Sequence, residues 1–422
     1  MTYTVLQGGS EANNTMRTGL SLLCLLLGAG ASAGVFGCRP RNEIRTVRPQ
    51  EEAKLESDQS ALLDLAFEAA SAIPLNPHIK SRSGEQREVV TACLELRQPQ
   101  RAQRYIDQIG DWRRGEAYAA LAFYYARHGS RTEATLHLQQ ASQALQQEIE
   151  DWQKDRIKTQ IAQVYALLGQ AQAAMSLEQG AGGAELGKVD RARAMVCPPE
   201  SFDDLVRALE KLVSTKQLDA VKNAMEAYAE LFNRFYADPG RRAIVERGIK
   251  ASWNNLPVFV RIDLLGTLAD YSLAHADRAK ALELIDQAGK MLDSAVWQPQ
   301  YRITLMAKLA ELRFRAGDPE RARADAREAL DLFDAKKDEI VNIYRAQMLR
   351  PIAEAYHVMG DTAASLDLYR RAIEAGTENP NSRPRAEDLV ATCCSMALHA
   401  VMPGAELWSR LREVQGALGD PW

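Results

Sequence analysis

Six histidines, six cysteines and an abundance of carboxylates are the residues that could do chemistry, and their spacing decides which chemistry is open to them. His78, His128, His137, His275, His357 and His399 are scattered; none forms an HExxH pair or joins a cysteine pair at zinc spacing, so no metal site is expected. His128 directly precedes Gly129 at an expected helix end, where the helix dipole favours a cation. No GxxxxGK[ST] phosphate cradle and no GxSxG nucleophile turn occurs, and the run GAGASAG lies in an apolar N-terminal segment, so no cofactor is expected either. Cys93, Cys197, Cys393 and Cys394 are too few for a disulfide framework and contain no CxxC pair; they read as buried thiols packing as small hydrophobes. The carboxylates fall on amphipathic stretches, where most form solvated faces, and no pair stands out as acid and base. The expectation is a protein that is not an enzyme, with no small-molecule substrate evident.

Cys38 is different, because its neighbours give its thiol a role. Val35-Phe36-Gly37-Cys38 resembles the bacterial lipoprotein lipobox, an aliphatic residue, a variable one, a small one and the cysteine that receives diacylglycerol. Phe36 is bulkier than that motif usually carries. Upstream, Leu20 to Phe36 is apolar apart from Ser21 and Ser32, leucine-rich at first and then small and flexible, as a peptidase substrate requires. Met16-Arg17 makes a basic start, so Met16 stands beside Met1 as a candidate initiator. Two other readings stay open. Ala31-Ser32-Ala33 fits cleavage to a soluble secreted product beginning at Gly34. An uncleaved span is favoured by Arg39, Arg41, Arg45 and Arg48, which the positive-inside rule would keep in the cytoplasm; against it, the apolar run falls at or below the roughly 20 residues a span needs. Residues 1–37 are read as a signal peptide, placing an exported lipoprotein at the periplasmic face of a membrane in the cell envelope. The alternative is the cytoplasmic face, behind an uncleaved span.

The elements that position the rest follow from composition and period. The chain has 422 residues, 46% of them hydrophobic, enough for a continuous core, and a net charge of -4 that gives no whole-molecule attraction to nucleic acid or anionic lipid. The basic clusters at Arg191 and Arg193 and at Arg321, Arg323 and Arg327 are local; the second alternates with Glu320, Asp325 and Glu328 as a mixed helix face, so no nucleic acid partner is expected. Residues 38–60 are polar with two prolines and read as a flexible tether. Beyond them the pattern is helical. DWRRGEAYAALAFYYARHGSRTEA, from Asp111, and DWQKDRIKTQIAQVYALLGQAQAA, from Asp151, share aspartate, tryptophan, alanine, tyrosine, glycine and alanine at the same offsets, 40 residues apart. A core A-x-x-Y-x-x-x-G recurs as Ala122/Tyr125/Gly129, Ala162/Tyr165/Gly169 and Ala353/Tyr356/Gly360, and its skeleton continues through Ala310/Gly317 and, more faintly, Ala269/Ala276. Alanine lets two helices approach, tyrosine fills the space beside it, and glycine closes the helix in a left-handed turn. Gly180 to Pro199, rich in glycine and ending in two prolines, reads as a loop or hinge (180–199) between an N-terminal helical-repeat block (61–179) and a C-terminal one (200–422).

These units resemble the tetratricopeptide repeat over most of Ala61 to Trp422, with a spacing nearer 40 than the family's usual ~34 and without its closing proline. The resemblance implies an all-α fold, a right-handed α-solenoid of antiparallel helix pairs whose first helices line a concave groove for a protein or peptide partner. Carried across residue by residue, it places groove contacts at Phe123 and Arg127, at Arg156 and Gln163, at Glu311 and Arg315, and at Arg350, Glu354 and His357, a polar, mixed-charge set suited to a polar peptide. Together with Cys38, this points to a non-catalytic binding scaffold held at a membrane by a lipid anchor; a cytoplasmic or inner-membrane-tethered regulatory adaptor is the alternative.

Overall fold

The computed structural model describes residues 52–147, 149–178 and 183–422, with 183–186 in backbone only. Cys38, the leader and most of the tether lie outside these residues. Among the described residues every regular element is helical: α1 (Ser57–Ala72), α2 (Ile79–Glu95), α3 (Pro99–Ile106), α4 (Arg113–Arg127), α5 (Arg131–Ala144), α6 (Asp151–Leu167), α7 (Ala171–Glu178), α8 (Gly183–Val196), α9 (Phe202–Ser214), α10 (Leu218–Arg234), α11 (Pro239–Ser252), α12 (Val258–Ala274), α13 (Arg278–Ser294), α14 (Pro299–Arg315), α15 (Pro319–Lys336), α16 (Asn342–Val358), α17 (Thr362–Thr377), α18 (Ser382–Leu398) and α19 (Ala405–Gly416). None of these helices is long and apolar enough to cross a membrane.

The hairpins are built by one repeated turn. Gly129, Gly169, Gly317 and Gly360 sit at positive φ just after α4, α6, α14 and α16, and Arg97, Ala276 and Ala400 adopt the same conformation after α2, α12 and α18. In each case the next residue's amide donates to the carbonyl five positions back, as in Ser130 to Tyr125 (2.9 Å), Asp277 to Ser272 (2.9 Å) and Val401 to Met396 (2.9 Å). This is the Schellman closure, which satisfies carbonyls that a helix end would otherwise leave bare. At α13, α15 and α17 the residue after the turn is an aspartate that caps the new helix: the side chains of Asp277, Asp318 and Asp361 accept from the backbone amides of Lys280, Arg321 and Ala364.

Even-numbered helices pack on one another in sequence from α2 to α18, and the odd-numbered ones back them from outside. The small residues at the crossings are fully buried, Ala122, Ala162, Ala310 and Ala353 among them. The stretch expected as a loop or hinge needs correcting: 183–196 is α8, an inner helix packed between α6 and α10. Within it Gly187 works as a spacer, since a Cβ there would come 2.5 Å from the Cβ of Asn223. The two expected blocks therefore run on as one series. The tether also ends sooner than expected. Ala53 is held by Arg97 and Gln98, and α1 begins at Ser57.

The series closes on itself. α18 packs against both α1 and α2, so the first described helix serves as outer partner to the last inner one. Leu62, Leu63, Ala66, Ala69 and Ala70 of α1 and Val390, Cys393, Met396 and Ala397 of α18 are buried, and the Gln59 amide donates to the Ala397 carbonyl at 2.8 Å. The chain's far end is fixed at the same helix, with the Ser382 amide donating to the Pro421 carbonyl at 2.8 Å.

Candidate functional site: the inner wall of the helix ring

Counting back from the left-handed residue of each hairpin gives the inner helices a common register. Six residues before it stand Thr91, Phe123, Gln163, Asp270, Glu311, Glu354 and Cys394; two before it, α2, α4 and α14 place the charged residues Glu95, Arg127 and Arg315, and thirteen before it, α4, α6 and α12 place Glu116, Arg156 and Asp263. All the expected contact residues lie on these inner helices, but the structure gives them different duties.

Glu311 and Arg315 belong to one cluster. Arg315 pairs with Asp270 of α12 at 2.5 Å and with Glu311 at 3.7 Å. Burial raises the pKa of Glu311, and the Glu354 carboxylate on the next helix raises it further, opposed by His399 and Arg315. Glu354 accepts from the Ser395 hydroxyl at 2.5 Å, and that hydroxyl is 2.7 Å from the Tyr369 hydroxyl. Arg127 is exposed, and it acts electrostatically on Tyr271 of α12, so at this end of the ring opposite parts of the wall face each other. Gln163 is half-buried. Arg156 pairs with Glu116 of α4 at 3.0 Å and lies over the Trp112 ring. His357 is half-buried with its Nδ1 shut in and unpartnered; burial and the nearby His399 lower its pKa.

Two residues depart from the expected open groove. Arg350 is 7% exposed and pairs with Asp388 of α18 at 3.2 Å, because ten residues before Gly360 the side chain points at the neighbouring helix and away from the wall. Phe123 is half-buried and packs against both the main core and the small cluster of Ala162, Ala166, Ala174, Val189 and Ala192. Its ring bridges α4 to the helices that follow it.

Ion pairs join adjacent inner helices along much of the wall. Arg87 and Arg156 both reach Glu116 at 3.0 Å, linking α2, α4 and α6. Arg191 of α8 reaches Glu226 at 3.7 Å and Glu230 at 3.0 Å on α10, and Glu230 is hydrogen-bonded to Tyr271 of α12. Asp263 is exposed to solvent, yet burial raises its pKa, tempered by Lys308 and Lys222 from the flanking helices. A carboxylate that water can reach while protein surrounds it is what the inside of a ring should contain. The basic run at Arg191 and Arg193 is thereby consumed: Arg193 pairs with Asp190 at 2.7 Å and Glu178 at 2.5 Å.

Glu95, Asp263, Asp270, Glu116, Glu230 and His399 are absent from the residues expected from sequence. The signal for several was the register itself, but using it required seeing that Arg97, Ala276 and Ala400 stand where glycine stands elsewhere. Among the described residues, no three or more His, Cys, Asp or Glu are grouped to hold a metal ion, and Cys93, Cys197, Cys393 and Cys394 are buried free thiols. No protein-family model matches the chain, and no curated protein matches it either.

Proposed function

We propose that the protein is a non-catalytic scaffold that holds a protein or peptide segment against the inner wall of its helix ring, with a lipid on Cys38 fixing it to a membrane of the bacterial envelope. The observation that carries the reading is the acidic register of α12, α14 and α16. Asp263 and Asp270 stand on α12, Glu311 on α14 and Glu354 on α16, and Glu311, although paired with Arg315, also feels the like charge of Glu354. Such a wall favours a segment bearing basic and polar groups, because each weak contact is presented on a rigid backbone and none needs a reactive residue. The right-handed superhelix implied by the tetratricopeptide resemblance, and the unit of about 40 residues read from the chain's own repeats, belong to this reading.

Photo-crosslinking side chains placed at positions 311 and 354, and at the exposed outer position 331, test it in cells. The same basic partner should be captured from both inner positions, not from the outer one, and Glu354→Gln should weaken capture from 311. Equal capture from 331, or none from the wall, would sink the reading. The anchor is tested separately: a lipid-alkyne label should appear on the wild type and vanish in Cys38→Ser. The adaptor reading is favoured by one observation, the four arginines from Arg39 to Arg48, and an unlabelled wild type would move the proposal there.

A further inference from the structure

Among the described residues the wall is joined by helices far apart in sequence where α18 packs on α1 and α2. There Glu95 ends α2, at the negative end of the helix dipole, with both carboxylate oxygens buried and without a hydrogen-bond partner. The groups acting on it are Glu88 on its own helix and His399 at the end of α18; His399 is in turn within electrostatic reach of His357 on α16 and Glu311 on α14. From the other elements packed on α2, α1 brings Gln59 and Asp64, α3 brings Arg101 and Tyr105, which with Asp64 act on Cys93, and α4 brings Glu116, which Arg87 of α2 holds at 3.0 Å. Asp64, Arg101 and Tyr105 bond to one another, and Gln59 is spent on Ala397. A buried carboxylate with no donor is tolerable when protonated and costly when ionised.

We propose that the α2–α18 contact is a reversible seam held shut by the proton on Glu95, so that alkaline conditions open the ring and give a partner sideways access to its inner wall. Burial, reinforced by Glu88, pushes the Glu95 pKa up to about 8. The sign follows directly. Between the ordinary carboxyl pKa and about 8 the closed form keeps a proton that the open form releases, so closure weakens as pH rises through that window and falls no further above it. The seam stands or falls independently of what the wall binds.

Two native thiols report on it. Cys93 of α2 and Cys394 of α18 are buried within electrostatic reach of each other, whereas Cys197 follows α8, elsewhere in the ring. Alkylation of the whole protein, read by peptide mass, gives the rates at Cys93 and Cys394 relative to Cys197. In the wild type these ratios should rise about tenfold between pH 7 and pH 9. Glu95→Gln, which cannot ionise, should hold them flat. Glu88→Gln, by removing a like charge, should move the rise to lower pH. Flat ratios in the wild type, or an equal rise in Glu95→Gln, would overturn the proposal. If Glu95→Gln fails to fold, an unmoved midpoint in Glu88→Gln would do the same.

Discussion

Arg127 and Arg350 both sit on inner helices, and their positions relative to the turn separate them. Arg127, two residues before Gly129, is exposed on the wall; Arg350, ten before Gly360, is sealed against Asp388. Removing one partner of such a pair strands the other charge in the protein. Arg350→Met should therefore cost about 3–5 kcal/mol in urea unfolding, and the paired change with Asp388→Leu should recover most of that. Arg127→Met should cost less than about 0.5 kcal/mol, as surface changes do. If the two single variants were equally mild, Arg350 would have to be returned to the open wall.

At the scale of the helix pair, alanine and glycine decide how closely elements approach and how they turn. Ala276 holds a left-handed conformation, φ 60°, that its Cβ disfavours, in the place where Gly317 and Gly360 stand in later units. Ala276→Gly should stabilise the protein by about 0.5–1 kcal/mol, the strain relieved exceeding the glycine's extra unfolded freedom; a loss of stability would mean that the turn carries no strain. Gly187 is the opposite case, a glycine needed for space. Gly187→Ala drives a methyl into Asn223 and should cost about 1–3 kcal/mol, whereas an alanine in a true hinge would be neutral or favourable. Thermal melts distinguish these outcomes. The same pair of residues shows what was legible. Helix content and the A-x-x-Y-x-x-x-G units could be read because alanine, tyrosine and glycine each act locally, within one hairpin. The role of Gly187 could not, because its reason lies across the interface on α10, and a glycine next to others looks like a breaker when only its own segment is in view. Positions 97, 276 and 400 hid the register for the converse reason: packing imposed a glycine's conformation on residues that do not advertise it.

For the whole molecule the feature invisible in the sequence is closure, since no local pattern says that a helix beginning at Ser57 will back one beginning at Ser382. Closure changes how the array should unfold. An open stack of repeats frays from its ends, each unit depending on its neighbours alone, whereas a ring has no free inner edge until the seam parts. Deleting residues 1–72 removes α1 and uncovers the face on which α18 buries Val390, Cys393, Met396 and Ala397. The expected result is an expanded molecule by small-angle scattering, with hydrogen exchange accelerating first in α18 and α2, then progressively into α16 and α4, while α10 and α12 keep their protection. A synthetic peptide covering 52–72 should restore the compact form, because its apolar face, the Gln59 amide and the Ala53 contacts with Arg97 and Gln98 are all present in it. Unchanged dimensions after the deletion, or fraying spread evenly around all the inner helices, would show that α1 merely decorates a ring closed by α2 and α18 alone.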